Sequence, residues 1–108
     1  MKTKNTEGDC YQANGTFVID SVFMNPDANI VLCHGIVSGR GKLKGKRIGH
    51  AWCEQGNVVM DLSNNQTIIL DKKTYYKFGK IEEKDIKRYT PKEAAKEMLK
   101  SGHFGPWD

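Results

Sequence analysis

Apolar residues first recur at helical spacing between positions 10 and 24, where Cys10, Ala13, Phe17 and Met24 fall near one face with Tyr11, Val18 and Val22 beside them. The spacing predicts an amphipathic helix with Asp9 at its N-cap, in which Gly15 and the β-branched positions lower the intrinsic propensity. Asn25-Pro26-Asp27-Ala28-Asn29 is a turn cluster that ends it. The pattern then changes to short apolar, β-branched runs over Ile30 to Ser38, Arg47 to Gln55, Val58 to Leu62 and Thr67 to Leu70. Gly39 to Gly45, Gly56-Asn57 and Ser63 to Gln66 separate these runs and suit chain reversals, so four short strands in series predict an antiparallel meander. Asp71 is positioned to cap a short helix through Tyr75, Tyr76 and Phe78 that stops at Gly79. Thr90-Pro91-Lys92-Glu93 carries the signature of a capping box with proline at the first helical position. Ala94, Ala95, Met98 and Leu99 then supply an apolar face, and Gly102 stops the helix. The fold class expected is α+β: an N-terminal helix packed on a small antiparallel sheet, with a C-terminal helix.

A chain of 108 residues suits one domain spanning 1–108, large enough to bury most of its apolar side chains. Hydrophobic content of 38% and charged content of 28% lie near globular averages and exclude wholesale disorder or a fibrous repeat. Met1 to Asp9 has basic residues without an apolar stretch behind them, and no run approaches the ~20 residues of a membrane span, so neither export nor membrane insertion is expected. Three cysteines at irregular spacing, Cys10, Cys33 and Cys53, fit free thiols in a reducing compartment better than a disulfide framework. The cytoplasm of a cell, or of a phage-infected one, is the expected location.

Net charge of +4 is concentrated in Arg40, Lys42, Lys44, Lys46 and Arg47, five cations in eight residues. Such a run is either a solvated loop or a weak phosphate or nucleic-acid contact.

The chemistry centres on Cys10. A thiol at the first turn of a helix meets unsatisfied amide N–H groups and the positive end of the helix dipole, which favour a nucleophilic sulfur. An imidazole that pairs with it and protonates a leaving group, held by an acceptor on its far nitrogen, would complete the set. His50 and Asp61 lie on adjacent predicted strands. Alternation puts His50, Trp52 and Glu54 on one face and Ala51 and Cys53 on the other, and a turn within Glu54 to Val58 would pair Asp61 near His50 or Ala51. Trp52 is a core or cleft-wall residue and a candidate for substrate contact.

Gly8-Asp9-Cys10-Tyr11 opening a helix, a strand containing Gly35, then Gly49-His50-Ala51-Trp52-Cys53-Glu54 and Val58-Val59-Met60-Asp61, resemble the cysteine, histidine and aspartate motifs of transglutaminase-like proteins in the papain-like superfamily. The whole also resembles small uncharacterised proteins of bacteria and their phages. The likeness covers residues 8 to 63. It implies a papain-like core in which Cys10 is the nucleophile, His50 the base and acid, and Asp61 the residue orienting His50. It further implies acyl transfer on a peptide, protein or small amide or ester, of hydrolase, amidase, protease or transglutaminase type. The segment between Cys10 and His50 is short for that family and lacks a clear upstream oxyanion donor. The N–H of Cys10, with Gln12, Asn5 or Tyr11 as side-chain candidates, stands in for it. Some members of the superfamily keep the scaffold without catalysis, so a non-catalytic module that binds protein or nucleic acid through the basic loop is the alternative.

Cys33, His34 and Cys53, with Cys10 or His50, raise the question of zinc. The close Cys-x-x-Cys pairing of structural sites is missing, and Cys33 and His34 point to opposite faces of a strand, so neither metal nor cofactor is expected. His103, in the aromatic tail Phe104 to Trp107, is expected to help dock that tail on the domain. If the cation run contacts nucleic acid, binding should be weak, independent of sequence and steeply salt-dependent. Replacing Lys42, Lys44 and Lys46 with Ala should abolish it in a filter or anisotropy assay, and tight binding that survives high salt would contradict this.

Overall fold

Residues 9–38, 45–63 and 66–107 are described in the computed structural model. Helix α1 (Cys10–Met24) is followed by strands β1 (Val31–Ser38), β2 (Arg47–Gln55), β3 (Val58–Ser63) and β4 (Gln66–Asp71). Helix α2 (Lys72–Gly79), a single 3-10 turn at Glu83–Asp85, strand β5 (Lys87–Tyr89) and helix α3 (Pro91–Ser101) complete the order. The protein is thus α+β, with the expected meander between its N- and C-terminal helices. The sheet order is β4-β3-β2-β1-β5 and each pairing is antiparallel. The Gly39 to Lys44 part of the expected first turn lies outside the described residues.

Side-chain alternation divides the interior into two layers. Leu32, Ala51 and Cys53 face α1 and α3 and pack with Cys10, Val18 and Ala94. Cys33, Val37, Trp52 and Val59 face the other way and pack with Tyr75 of α2 and with Ile81. Among the described residues no helix is long and apolar enough to cross a membrane.

Capping chemistry sets the helix ends. Asp71 accepts from the Thr74 backbone N–H at 3.0 Å, and Thr90 and Glu93 form the reciprocal capping box of α3. Gly102 closes α3 with φ of 79°, whereas α2 runs through Gly79 and closes on Lys80 at φ of 52°. Gly79 serves packing instead, since a Cβ there would lie 3.0 Å from Ile81 Cγ1. Asp9 occupies the N-cap of α1 without a side-chain capping bond.

Several sequence expectations are corrected. The buried face of α1 is Cys10, Asn14, Gly15 and Val18, while Met24 is 84% exposed. Gly15 faces α3, where an added Cβ would stand 2.7 Å from Met98 Cε. Leu99, assigned to the apolar face of α3, is 87% exposed because Ala94 is the residue turned fully inward. Strand β5, unanticipated, pairs Lys87, Arg88 and Tyr89 with His34, Cys33 and Leu32. Gln55 pairs with Val58 across the tight turn, so continuing that register sets Asp61 level with Trp52 rather than with His50 or Ala51. That shift leaves Asp61 on the face shared by Trp52 and His50.

Gly35 pairs with His50, and a Cβ on it would come within 2.6 Å of Trp52 Cη2. The indole cannot yield readily, because Nε1 donates to Glu54 Oε2 at 3.0 Å inside the core. Gly35→Ala should therefore destabilise the protein by about 1–3 kcal/mol, as overpacking does. Gly49→Ala, whose Cβ would meet only the tip of Tyr11, should cost less; chemical denaturation of both variants checks the order.

Candidate active site

Cys10 is the first residue of α1 and is buried, His50 lies midway along β2, and Asp61 lies on β3. The three are brought together. His50 Nε2 is 2.8 Å from Asp61 Oδ2, and the Cys10 side chain lies near enough to the imidazole to help raise its pKa. With Nε2 engaged by the carboxylate, Nδ1 is the nitrogen left for sulfur. The imidazole stacks on Trp52 at a centroid distance of 6.2 Å and 24° between planes, and 19% of its side chain reaches solvent.

Asp61 is almost enclosed yet well supplied with donors. Tyr75 donates its hydroxyl to Oδ2 at 2.6 Å, while Ser63 Oγ at 3.4 Å and Asn14 Nδ2 at 3.5 Å approach Oδ1. Burial by itself would raise the carboxyl pKa. The His50 hydrogen bond and charge, with Tyr75 and Asn14, overcome that and hold it below the usual carboxylate range. For His50, burial pulls the pKa down, but the hydrogen bond and charge of Asp61, together with the Cys10 side chain, raise it to about 9. The ring is an imidazolium at neutral pH.

An opening in the sheet lets a helix on one face reach an imidazole on the other. Among the described residues the β2–β3 ladder comprises Gln55↔Val58, Glu54↔Val59 and Cys53↔Met60. Beyond it the two strands separate, and the fully buried Asn14 stands between them. Its two Nδ2 hydrogens are shared among Ala51 O at 3.0 Å, Leu62 O at 2.9 Å and Cys10 O at 2.9 Å, and its Oδ1 accepts from Leu62 N at 2.9 Å.

Behind His50 lies a second polar layer. Buried Glu54 accepts from Trp52 Nε1, from Arg88 Nε at 3.0 Å and from the Tyr76 hydroxyl, and pairs with Lys72 Nζ at 3.4 Å. Burial alone would raise the Glu54 pKa; these donors lower it.

Other sequence candidates lie elsewhere. Trp52 is fully buried, so it offers no surface to a ligand and instead backs His50. The Arg47 guanidinium donates to the carbonyls of Lys80 at 2.8 Å and Gly79 at 3.3 Å, which ties β2 to the end of α2. Lys46 is exposed. Arg40, Lys42, Lys44 and Asn5 lie outside the described residues. Gln12 points outward, and Tyr11 packs edge-on against His34 with its hydroxyl over Gly49. His34 also meets Tyr89 and Trp107, so the aromatic tail docks through Trp107, whose Nε1 donates to His103 O at 2.9 Å. Cys33 and His34 face opposite layers, and among the described residues no group of three His, Cys, Asp or Glu is arranged to hold a metal ion. Burial pushes the thiols of Cys33 and Cys53 far up.

Sequence reasoning missed Asn14 and Tyr75. The one available signal for Asn14 was its place four residues after Cys10, on the same helix face. Models of known protein families, curated proteins and solved structures give no match to the chain.

The raised His50 value fixes the sign of a pH effect. Its contribution to stability is fully present below the ~6.5 of an unfolded histidine and is lost as pH rises towards about 9. Asp61, being lowered, adds stability above the ordinary carboxylate value that is lost only in acid. Thermal melts should show a decline between pH 6.5 and 9 that is smaller in His50→Gln. Taking the difference between the two proteins removes the separate alkaline effect of the buried thiols. Parallel curves would contradict the charge assignment.

Proposed function

We propose that the protein is a cysteine-dependent acyl-transfer enzyme acting on a peptide, protein or small amide or ester. The observation that carries this reading is the meeting of Cys10, His50 and Asp61 from a helix start and two strands, with the carboxylate aligned on the imidazole at 2.8 Å.

In this mechanism the Cys10 thiolate, paired with the His50 imidazolium, attacks the substrate carbonyl carbon and forms a C–S bond as the carbonyl oxygen takes up negative charge. As the first residue of α1, Cys10 has a backbone N–H without an intrahelical acceptor, suited to that oxyanion. His50 gives its Nδ1 proton to the departing amine or alkoxide as the carbonyl–leaving-group bond breaks, leaving a thioester. Water or an amine then attacks the thioester and yields its proton to His50. The C–S bond breaks, the acid or new amide leaves, and the thiolate–imidazolium pair returns. Asp61 stays ionised throughout and holds the ring by Nε2. Three free cysteines without a disulfide suit a reducing compartment, and the cytoplasm belongs to this reading.

Iodoacetamide labelling with mass-spectrometric mapping tests the proposal. Slow labelling of Cys33 and Cys53 follows from their burial alone, so the informative comparison is Cys10 between parent and variants. Cys10 should label about tenfold faster in the parent than in His50→Ala, since an unpaired thiol is only a few per cent thiolate at neutral pH. Asp61→Asn should give a smaller loss, because the ring keeps its place but loses its preferred tautomer. If both variants fold and Cys10 labels at the parental rate, the proposal fails.

A further inference from the structure

We infer that Asn14 is a positioning residue of this site, its carboxamide standing in for the absent β2–β3 peptide pairing and holding apart the strands that carry His50 and Asp61. Its bearing on reactivity rests on the proposed function; its action on the sheet does not.

Register supplies the first argument. Continuing the ladder beyond Cys53↔Met60 sets Ala51 opposite Leu62, and in an unbroken antiparallel pair their backbone groups would bond each other. Here Leu62 N–H donates to Asn14 Oδ1 at 2.9 Å, and Asn14 Nδ2 donates to Ala51 O at 3.0 Å and Leu62 O at 2.9 Å. The Leu62 N–H and the Leu62 and Ala51 carbonyls thus keep partners while the strands stand one side chain apart. Only a primary carboxamide does this from α1. Asp lacks the N–H donors and would set a second carboxylate beside Asp61, Ser is too short to reach both strands, and Gln adds a methylene to a fully enclosed slot.

Connectivity supplies the second. The same Nδ2 bonds the Cys10 carbonyl at 2.9 Å and lies 3.5 Å from Asp61 Oδ1. One side chain therefore joins the residue that carries the sulfur, the strand that carries the imidazole and the carboxylate that orients it. Without it, β2 and β3 can zip together, and the passage from Cys10 to His50 closes.

Asn14→Ala and the milder Asn14→Ser test this, with Cys10 labelling and His50 titration by imidazole NMR both measured. In folded variants, Cys10 labelling should fall to the level of His50→Ala, and the His50 midpoint should drop from about 9 towards an ordinary histidine value as its contact with sulfur is lost. A purely structural role would lower the melting temperature and leave the midpoint of the folded protein in place, which would overturn the inference. Slow Cys10 labelling in the parent would sink the proposed function alone, because the His50 midpoint still reports on Asn14. A measurement on the parent needs no variant to fold. The Asn14 side-chain amide protons should be strongly protected from exchange and should shift when Cys10 is alkylated; rapid exchange would overturn the inference.

Discussion

Opening a β-sheet in the protein interior leaves backbone donors and acceptors without partners, each at a cost of about 1–3 kcal/mol. Here that constraint is met by one carboxamide. Asn14 receives the Leu62 N–H and supplies the Ala51 and Leu62 carbonyls, so β2 and β3 diverge after three ladder pairs without orphaning those groups. The same residue fixes α1 against the opening, which determines where the helix start, and hence Cys10, can lie. The rest of the site follows from that separation.

On the far face of the sheet the arrangement keeps two charges in a poorly solvated place. Asp61 stays ionised because a phenol, an imidazolium and an amide converge on it, and His50 stays charged because its neighbours outweigh burial. Trp52 backs the imidazole and is itself anchored through Glu54, which gathers Tyr76, Lys72 and Arg88 from α2 and β5. Elements remote from Cys10 thereby set the position of the ring. Tyr75 extends the same logic, for its hydroxyl shares Oδ2 with the imidazole and limits how far the carboxylate can rotate.

The strands and caps were legible because their signals are local: alternating β-branched runs, Asp71 before Thr74, and Thr90 with Glu93. Cys10, His50 and Asp61 could be named because few residue types carry that chemistry and each stood beside a readable element. Asn14 could not. Asparagine inside a helix reads as a weak helix former, and its partners are backbone groups 37 and 48 residues away. Strand β5 escaped notice because Lys87-Arg88-Tyr89 has no apolar alternation and exists only through its edge pairing with β1. Met24 and Leu99 were misplaced because periodicity gives a stripe but not how far the neighbouring elements extend to cover it.

In the proposed mechanism sulfur and imidazole act as one charged unit. Imidazole NMR of His50, recorded before and after blocking Cys10 with a neutral alkyl cap, tests this most directly. The proposed pairing predicts a midpoint of about 9 in the free protein and a fall once the thiol is capped, because the sulfur's share in raising the imidazole is removed. A midpoint near 6.5 that is indifferent to capping would contradict it.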